Sequence, residues 1–152
     1  MADHELLKKL QQAPDEAARH DGWTLEADGA QVNPIGISTD RLRLRRDTPS
    51  EGEPATLARN LAKRTTYLLE PLAPIESDTE KALVRSREPS QQGEGRDYYE
   101  MWLTPDDLSI ERYRGHDEQP RESRPINLTW ERAERLVRDV DAVYDNPAPG
   151  DE

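Results

Sequence analysis

A chain of 152 residues is long enough for one domain that buries roughly two-thirds of its unfolded surface without help from metals or disulfides. It has no cysteine, which excludes disulfide frameworks, thiol nucleophiles and cysteine-ligated zinc or iron–sulfur centres, and its net charge of −11 opposes nonspecific binding to nucleic acid or anionic membranes. Only 33% of residues are hydrophobic against 35% charged, so a thin core with disordered ends is expected.

The opening Met-Ala-Asp-His-Glu shows no apolar signal core, and no stretch approaches the roughly eighteen apolar residues of a membrane span, so a cytoplasmic location is expected. Residues 3–19 predict a helix carrying Leu6, Leu7 and Leu10, broken or restarted at Pro14 before Ala17 and Ala18. Trp23 to Ala27 and Ala30 to Val32 predict two short strands joined by Asp28-Gly29, a favoured hairpin turn. A third strand is expected from about Ile37 to Arg46, with Leu42 and Leu44 facing inward and Arg41, Arg43 and Arg45 outward.

Pro54 suits the first position of a helix, whose apolar spacing through Leu57, Ala58, Leu61, Ala62, Thr65, Leu68 and Leu69 runs on until Pro71 and Pro74. Ala82 to Glu88 reads as a strand and 91–95 as a flexible polar connection. Tyr98 to Leu103, the turn Thr104-Pro-Asp-Asp and Leu108 to Tyr113 predict an aromatic-rich hairpin, followed by a polar loop over 115–124. The last helix takes Thr129 as N-cap and Glu131 in its first turn, with Trp130, Ala133, Leu136, Val137, Val140 and Tyr144 as its stripe. Together these predict a single α+β domain over residues 1–146, with residues 147–152 as a disordered tail. Its order is helix, three strands, helix, three strands, helix, giving one antiparallel sheet of about five or six strands with helices on one face.

No local motif assigns catalytic, metal-binding or cofactor-binding residues. Gly36-Ile37-Ser38 continues to Asp40 without the second glycine of a nucleophile elbow. His4 lies near a terminus, while His20 and His116 stand beside Asp21 and Asp117 in polar segments. The acidic pairs Asp106 with Asp107, Glu76 with Asp78, and Asp139 with Asp141 are what chance gives a chain with 32 acidic residues. Lysine supplies only Lys8, Lys9, Lys63 and Lys81, so the rest of the 21 basic residues are arginine. Arg41, Arg43, Arg45, Arg85 and Arg87 alternate along strand-like segments and form a candidate anion-binding face, able to grip carboxylates or phosphates in bidentate fashion. Cross-strand pairing with Glu26, Glu100 or Glu111 is the structural alternative, and Arg112 and Arg114 fall in phase with Leu108 and Ile110 on the core side. Alternation also sends Tyr99, Met101 and Leu103 one way and Tyr98 and Trp102 the other. Tyr98, Trp102 and Tyr113 are therefore the candidate partner interface, since exposed Tyr and Trp are enriched where proteins meet.

The run Leu57-Ala-Arg-Asn-Leu-Ala-Lys-Arg-Thr-Thr-Tyr-Leu-Leu-Glu-Pro-Leu resembles a family of uncharacterised bacterial proteins, together with Ile75-Glu76, Arg85-Ser86, Tyr98-Tyr99-Glu100 and Glu111-Arg112-Tyr113. The resemblance spans roughly residues 55–144 and implies a bacterial origin and a single domain. In acidity, length and element order the chain is also similar to type III secretion chaperones, homodimers that hold an extended segment of a secreted partner on apolar patches. These features favour a non-enzymatic protein-binding accessory module with an unknown protein partner, no cofactor and no membrane. Such a module is expected to be a homodimer. The alternatives are an anion or nucleic-acid binder using the arginines, and an enzyme in which His20 or His116 meets carboxylates in a cleft.

Overall fold

A computed structural model describes residues 2–147. Its elements are α1 (Ala2–Gln12), β1 (Ala18–His20), β2 (Trp23–Asp28), β3 (Gln31–Val32), β4 (Gly36–Thr39), β5 (Arg41–Arg46), α2 (Pro54–Arg64), β6 (Leu72–Ser77), β7 (Ala82–Ser86), β8 (Ser90–Gln92), β9 (Gly95–Thr104), β10 (Asp107–Gly115), β11 (Glu122–Arg124), β12 (Ile126–Thr129) and α3 (Trp130–Asp145). The long β9–β10 hairpin is the spine, in register from Thr104 opposite Asp107 to Arg96 opposite Gly115. β5 and β11 divide the free edge of β10, and β7 and β8 divide that of β9. The nine-stranded antiparallel sheet follows the order β1-β2-β5-β10-β9-β7-β6, with β8 and β11 off this path.

Period-two alternation aligns Leu25, Leu44, Leu108, Leu103 and Ala82 across neighbouring strands, with Leu42, Ile110, Met101 and Val84 in the next row. All are buried in one cluster with Leu6, Leu7 and Leu10 of α1, Leu57, Ala58 and Leu61 of α2, and Leu136, Val137, Val140 and Tyr144 of α3. The N-cap of α3 forms as its sequence predicts, Thr129 Oγ1 accepting from Arg132 N at 3.2 Å.

The expectation of one sheet of five or six strands is overturned, because the described residues form twelve strands in a nine-stranded and a three-stranded sheet. Several of the additional strands are too short to show a period: β1, β8 and β11 have three residues each. β6 contains Pro74 at a register shift, and proline in a sequence argues against a strand. The hairpin expected at Asp28-Gly29 is also replaced by a change of sheet. β2 pairs with β1 and β5, whereas β3 pairs with β4, so the chain leaves the large sheet at Gly29 (φ 60°) and rejoins it at Asp40. Asp40 N donates to Asp28 O at 2.9 Å, closing the excursion. A Cβ at position 29 would meet only the movable carboxylate of the exposed Asp40, so it is the left-handed backbone, at φ 60°, that favours glycine there.

The helix expected to continue to Pro71 ends at Arg64. Residues beyond it turn away to place Tyr67 on Asp139 and Glu70 on Arg112, two long-range contacts that outweigh the apolar spacing. Residues 148–152, where the disordered tail was expected, lie outside the described residues.

In the small sheet, β12 pairs with β4 so closely that a Cβ on Gly36 would fall 2.2 Å from Leu128 O, a backbone atom that cannot yield alone. Gly36→Ala should therefore separate β4 from β12 and cost about 1–3 kcal/mol, the usual range for overpacking. Urea unfolding monitored by circular dichroism measures the loss, and hydrogen exchange should show it first at Ile37 and Leu128.

Candidate interaction surface

The helices cover one face of the large sheet, and the opposite face is built by the alternate residues of the same strands. Its rows follow from the register. Leu83, Trp102, Ser109, Arg43 and Glu26 form one, Arg85, Glu100 and Glu111 the next, and Tyr98 and Tyr113 the third. Leu83 is buried yet stands apart from the main core cluster, because it packs on this second face opposite Trp102.

Tyr98, Trp102 and Tyr113, the candidate interface residues, are all half-buried on this face. The Tyr98 and Tyr113 rings are 6.0 Å apart. Cations line the same rings: Lys81 lies 5.0 Å over Trp102, Arg85 5.8 Å over Tyr98 and Arg121 3.7 Å over Tyr113. Beneath them sits Glu100, only 4% exposed although it belongs to the face without helices. It accepts hydrogen bonds from Arg121 at 2.8 Å, Arg85 at 3.1 Å and Trp102 Nε1 at 3.1 Å. Burial alone would raise the Glu100 carboxyl; Arg121, Arg85 and Trp102 outweigh it and hold the group below its ordinary range.

The arrangement answers a local problem. Glu100 and Glu111 are directly cross-strand, and like charges so placed destabilise a sheet. Arg85 and Arg121 take Glu100, while Tyr113 donates its hydroxyl to Glu111 at 2.7 Å. Burial together with that carboxylate pushes the Tyr113 hydroxyl up to about 12.

The candidate anion face is divided among carboxylates. Arg43 grips Asp107 through two nitrogens, Arg45 pairs with Glu26 and Arg85 with Glu100. Arg41 buries its Nε without a hydrogen-bond partner, and Arg87 is exposed beyond the end of β7. Arg112 and Arg114 point to the helix side, where Arg112 meets Glu70 and Arg114 meets Asp97. Arg41, Arg43, Arg45 and Arg85 thus share the second face and Arg87 lies beside α2 instead, while Arg43, Arg45 and Arg85 present an ion pair in place of a free guanidinium.

No protein-family model, curated protein or solved structure matches the chain. Among the described residues no group of three or more His, Asp or Glu could hold a metal ion, and no helix is long and apolar enough to cross a membrane. The acidic pairs picked out in the sequence have other duties: Asp107 holds Arg43, Asp139 accepts from Tyr67 and Arg64, and Asp141 accepts from Trp23. Asp78 receives the backbone N–H groups of Glu80 and Lys81, which lower its carboxyl below the ordinary range. His116 Nε2 lies 3.1 Å from Glu122 and borders a surface pocket of about 280 Å³ shared with Glu94, Tyr98 and Asp117.

Arg121 and Lys81 complete the aromatic cluster, and sequence reasoning missed both. Arg121 sits in a segment with no periodicity, so nothing local marks it as a partner of Glu100. Lys81 immediately precedes β7, and only the β7–β9 register brings it to Trp102.

Proposed function

We propose that the chain is a non-enzymatic protein-binding module acting in the bacterial cytoplasm, dimeric and chaperone-like, that engages its partner through Tyr98, Trp102 and Tyr113. The observation carrying this reading is three half-buried aromatic rings on the sheet face opposite the helices, Tyr98 and Tyr113 6.0 Å apart and Trp102 across Glu100 from them, each ring with a cation over it. Tyr and Trp bring large contact area with a polar handle, the combination enriched in binding hot spots. Their cations and the buried Glu100 hold the rings in place before a partner arrives, which reduces the entropy lost on docking.

Light scattering on the purified protein tests the dimer. The Tyr98→Ser, Trp102→Ser double variant should weaken self-association by about thirtyfold or more, the loss expected from one hot spot of ~2 kcal/mol, while its circular dichroism stays native. A wild-type protein monomeric at every concentration, or a variant that unfolds outright, would remove the basis for this reading.

A second reading draws on the His116–Glu122 pair beside its pocket, the arrangement an acid–base site would use. Glu122 is more than half exposed, so the pair ranks below the aromatic rings. The anion-binding reading ranks lower still, since carboxylates already occupy Arg43, Arg45 and Arg85.

A further inference from the structure

Arginine does not grip Glu100 as it grips Glu70, Asp97 and Asp107. Each of those gives both its oxygens to one guanidinium, from Arg112, Arg114 and Arg43 in turn. At Glu100 two arginines converge on Oε2, Arg121 through Nη1 at 2.8 Å and Arg85 through Nε at 3.1 Å. Its Oε1 accepts, among the described residues, from the Trp102 indole alone. A carboxylate offers about four acceptor sites, so Oε1 keeps room for a further N–H.

Arg121 is the more easily displaced of the two arginines. Its side chain is 42% exposed, and it ends the exposed segment 117–121 that leads into β11. That strand has three residues and pairs with β10 alone, and short edge segments of this kind open at low cost. Arg85 is fixed in β7, which β6 and β9 flank.

We infer that Arg121 is an intramolecular placeholder, and that the partner docks by setting an arginine of its own on Glu100 against the Tyr113 ring. This rests on Tyr98, Trp102 and Tyr113 being the partner interface, and it names what they recognise: a polypeptide segment bearing arginine. Arg121 already displays the chemistry, with its guanidinium 3.7 Å from the centre of the Tyr113 ring and bonded to a carboxylate that is 4% exposed. Stacking on an aromatic face and a charge-assisted hydrogen bond act there together. The exchange puts one cation in place of another, so Glu100 never stands unpaired, and the incoming guanidinium gains the second oxygen that Arg121 does not reach. Lysine, a point charge, has no such gain. The pocket of about 280 Å³ beside Tyr98 takes the residues next to that arginine, with Glu94 and Asp117 against Arg96 in its lining.

Fluorescence anisotropy with the full chain tests this, using a labelled peptide of arginines spaced by glycine and serine. Arg121→Ala removes the internal competitor and should bind the peptide about tenfold or more tightly than the wild type, because the open site no longer has to be populated at a cost. Its circular dichroism should stay native, the lost side chain being largely exposed. Glu100→Gln added to Arg121→Ala should abolish most of that gain, and a matched lysine peptide should bind about tenfold less well than the arginine one. Equal or weaker binding by Arg121→Ala, equal binding of the lysine peptide, or no binding at all would overturn the inference. No peptide binding joined to a fall in the light-scattering mass of Arg121→Ala would make a second copy the occupant instead. Peptide binding by a protein that is monomeric at every concentration would uphold the placeholder and remove the dimer, whereas a dimer that binds no peptide would do the reverse.

Discussion

Arg112→Leu should destabilise the protein by about 3–5 kcal/mol, among the largest single effects expected in this chain, because it strands a buried carboxylate. The Glu70 side chain is 2% exposed and that of Arg112 is 7% exposed, and two parallel hydrogen bonds of 2.9 Å join them. Ser86 and Ser90 donate to the same carboxylate at 2.9 and 2.5 Å, and the Arg112 guanidinium lies 4.3 Å from the centre of the Tyr99 ring. Ser86 Oγ also accepts from Tyr99 N at 2.8 Å, so the network ties the loop after α2 to β7, β8, β9 and β10. Replacing both partners together, Glu70→Leu with Arg112→Leu, should recover a substantial part of the loss, since no charge is then left unpaired.

The pH dependence separates these cases. Burial would raise the Glu70 carboxyl, but Arg112, Ser90 and Ser86 outweigh it and bring it below its ordinary 4.5. The unfolded state therefore binds the proton more readily, and the stabilisation present above that value is lost as pH falls through the folded-state pKa. In Arg112→Leu the sign reverses: an unpaired buried carboxyl has a raised pKa, so that variant should gain stability as pH falls from neutral toward its folded pKa. Urea midpoints measured from neutral pH down to pH 4 check this, and parallel profiles for the two proteins would show that Glu70 is not what Arg112 compensates.

Trp23→Ala should cost about 3–5 kcal/mol, the range for emptying a large buried aromatic site. Trp23 joins β2 to α3: its ring stands edge-on to Tyr144 at 5.5 Å, and its Nε1 donates to Asp141 at 2.9 Å. Tyr144 in turn donates its hydroxyl to the backbone oxygens of Thr104 and Asp107, at the turn of the central hairpin. Emptying the site loosens the last helix from both β2 and that turn. Differential scanning calorimetry should show a melting temperature lower by roughly 2–4 °C for each kcal/mol lost. Trp23→Phe keeps most of the packing and should cost far less, its main loss being one hydrogen bond of about 1 kcal/mol. A small effect of Trp23→Ala would mean that α3 is held chiefly by α1 and the aliphatic core.

The aromatic hairpin was legible because its signals are local. Proline and aspartates mark its turn, and alternation separates Tyr99, Met101 and Leu103 from Tyr98 and Trp102 with no knowledge of neighbours. The same counting places Arg112 in phase with Ile110, on the face where it meets Glu70. Phase shows which side a residue takes, whereas its partner depends on a residue 42 positions away. Glu70 itself lies in a run whose spacing reads as helix, and only the docked loop reveals its role.

The sequence by itself determined the strong periodic elements: the helix beginning at Pro54, the last helix with its Thr129 cap, the leucine and arginine alternation of β5, and the central hairpin. Each follows from spacing and capping within a dozen or so neighbouring residues. Tertiary structure alone decided the number of strands, the division into two sheets at Gly29 and Asp40, the early end of α2 and the partners of the arginines. Strands of two or three residues have no periodicity of their own and exist because a neighbour's unpaired backbone supplies their hydrogen bonds. An ion pair between residues far apart in the chain likewise forms only after folding brings them together, and its energy then overrides local propensity.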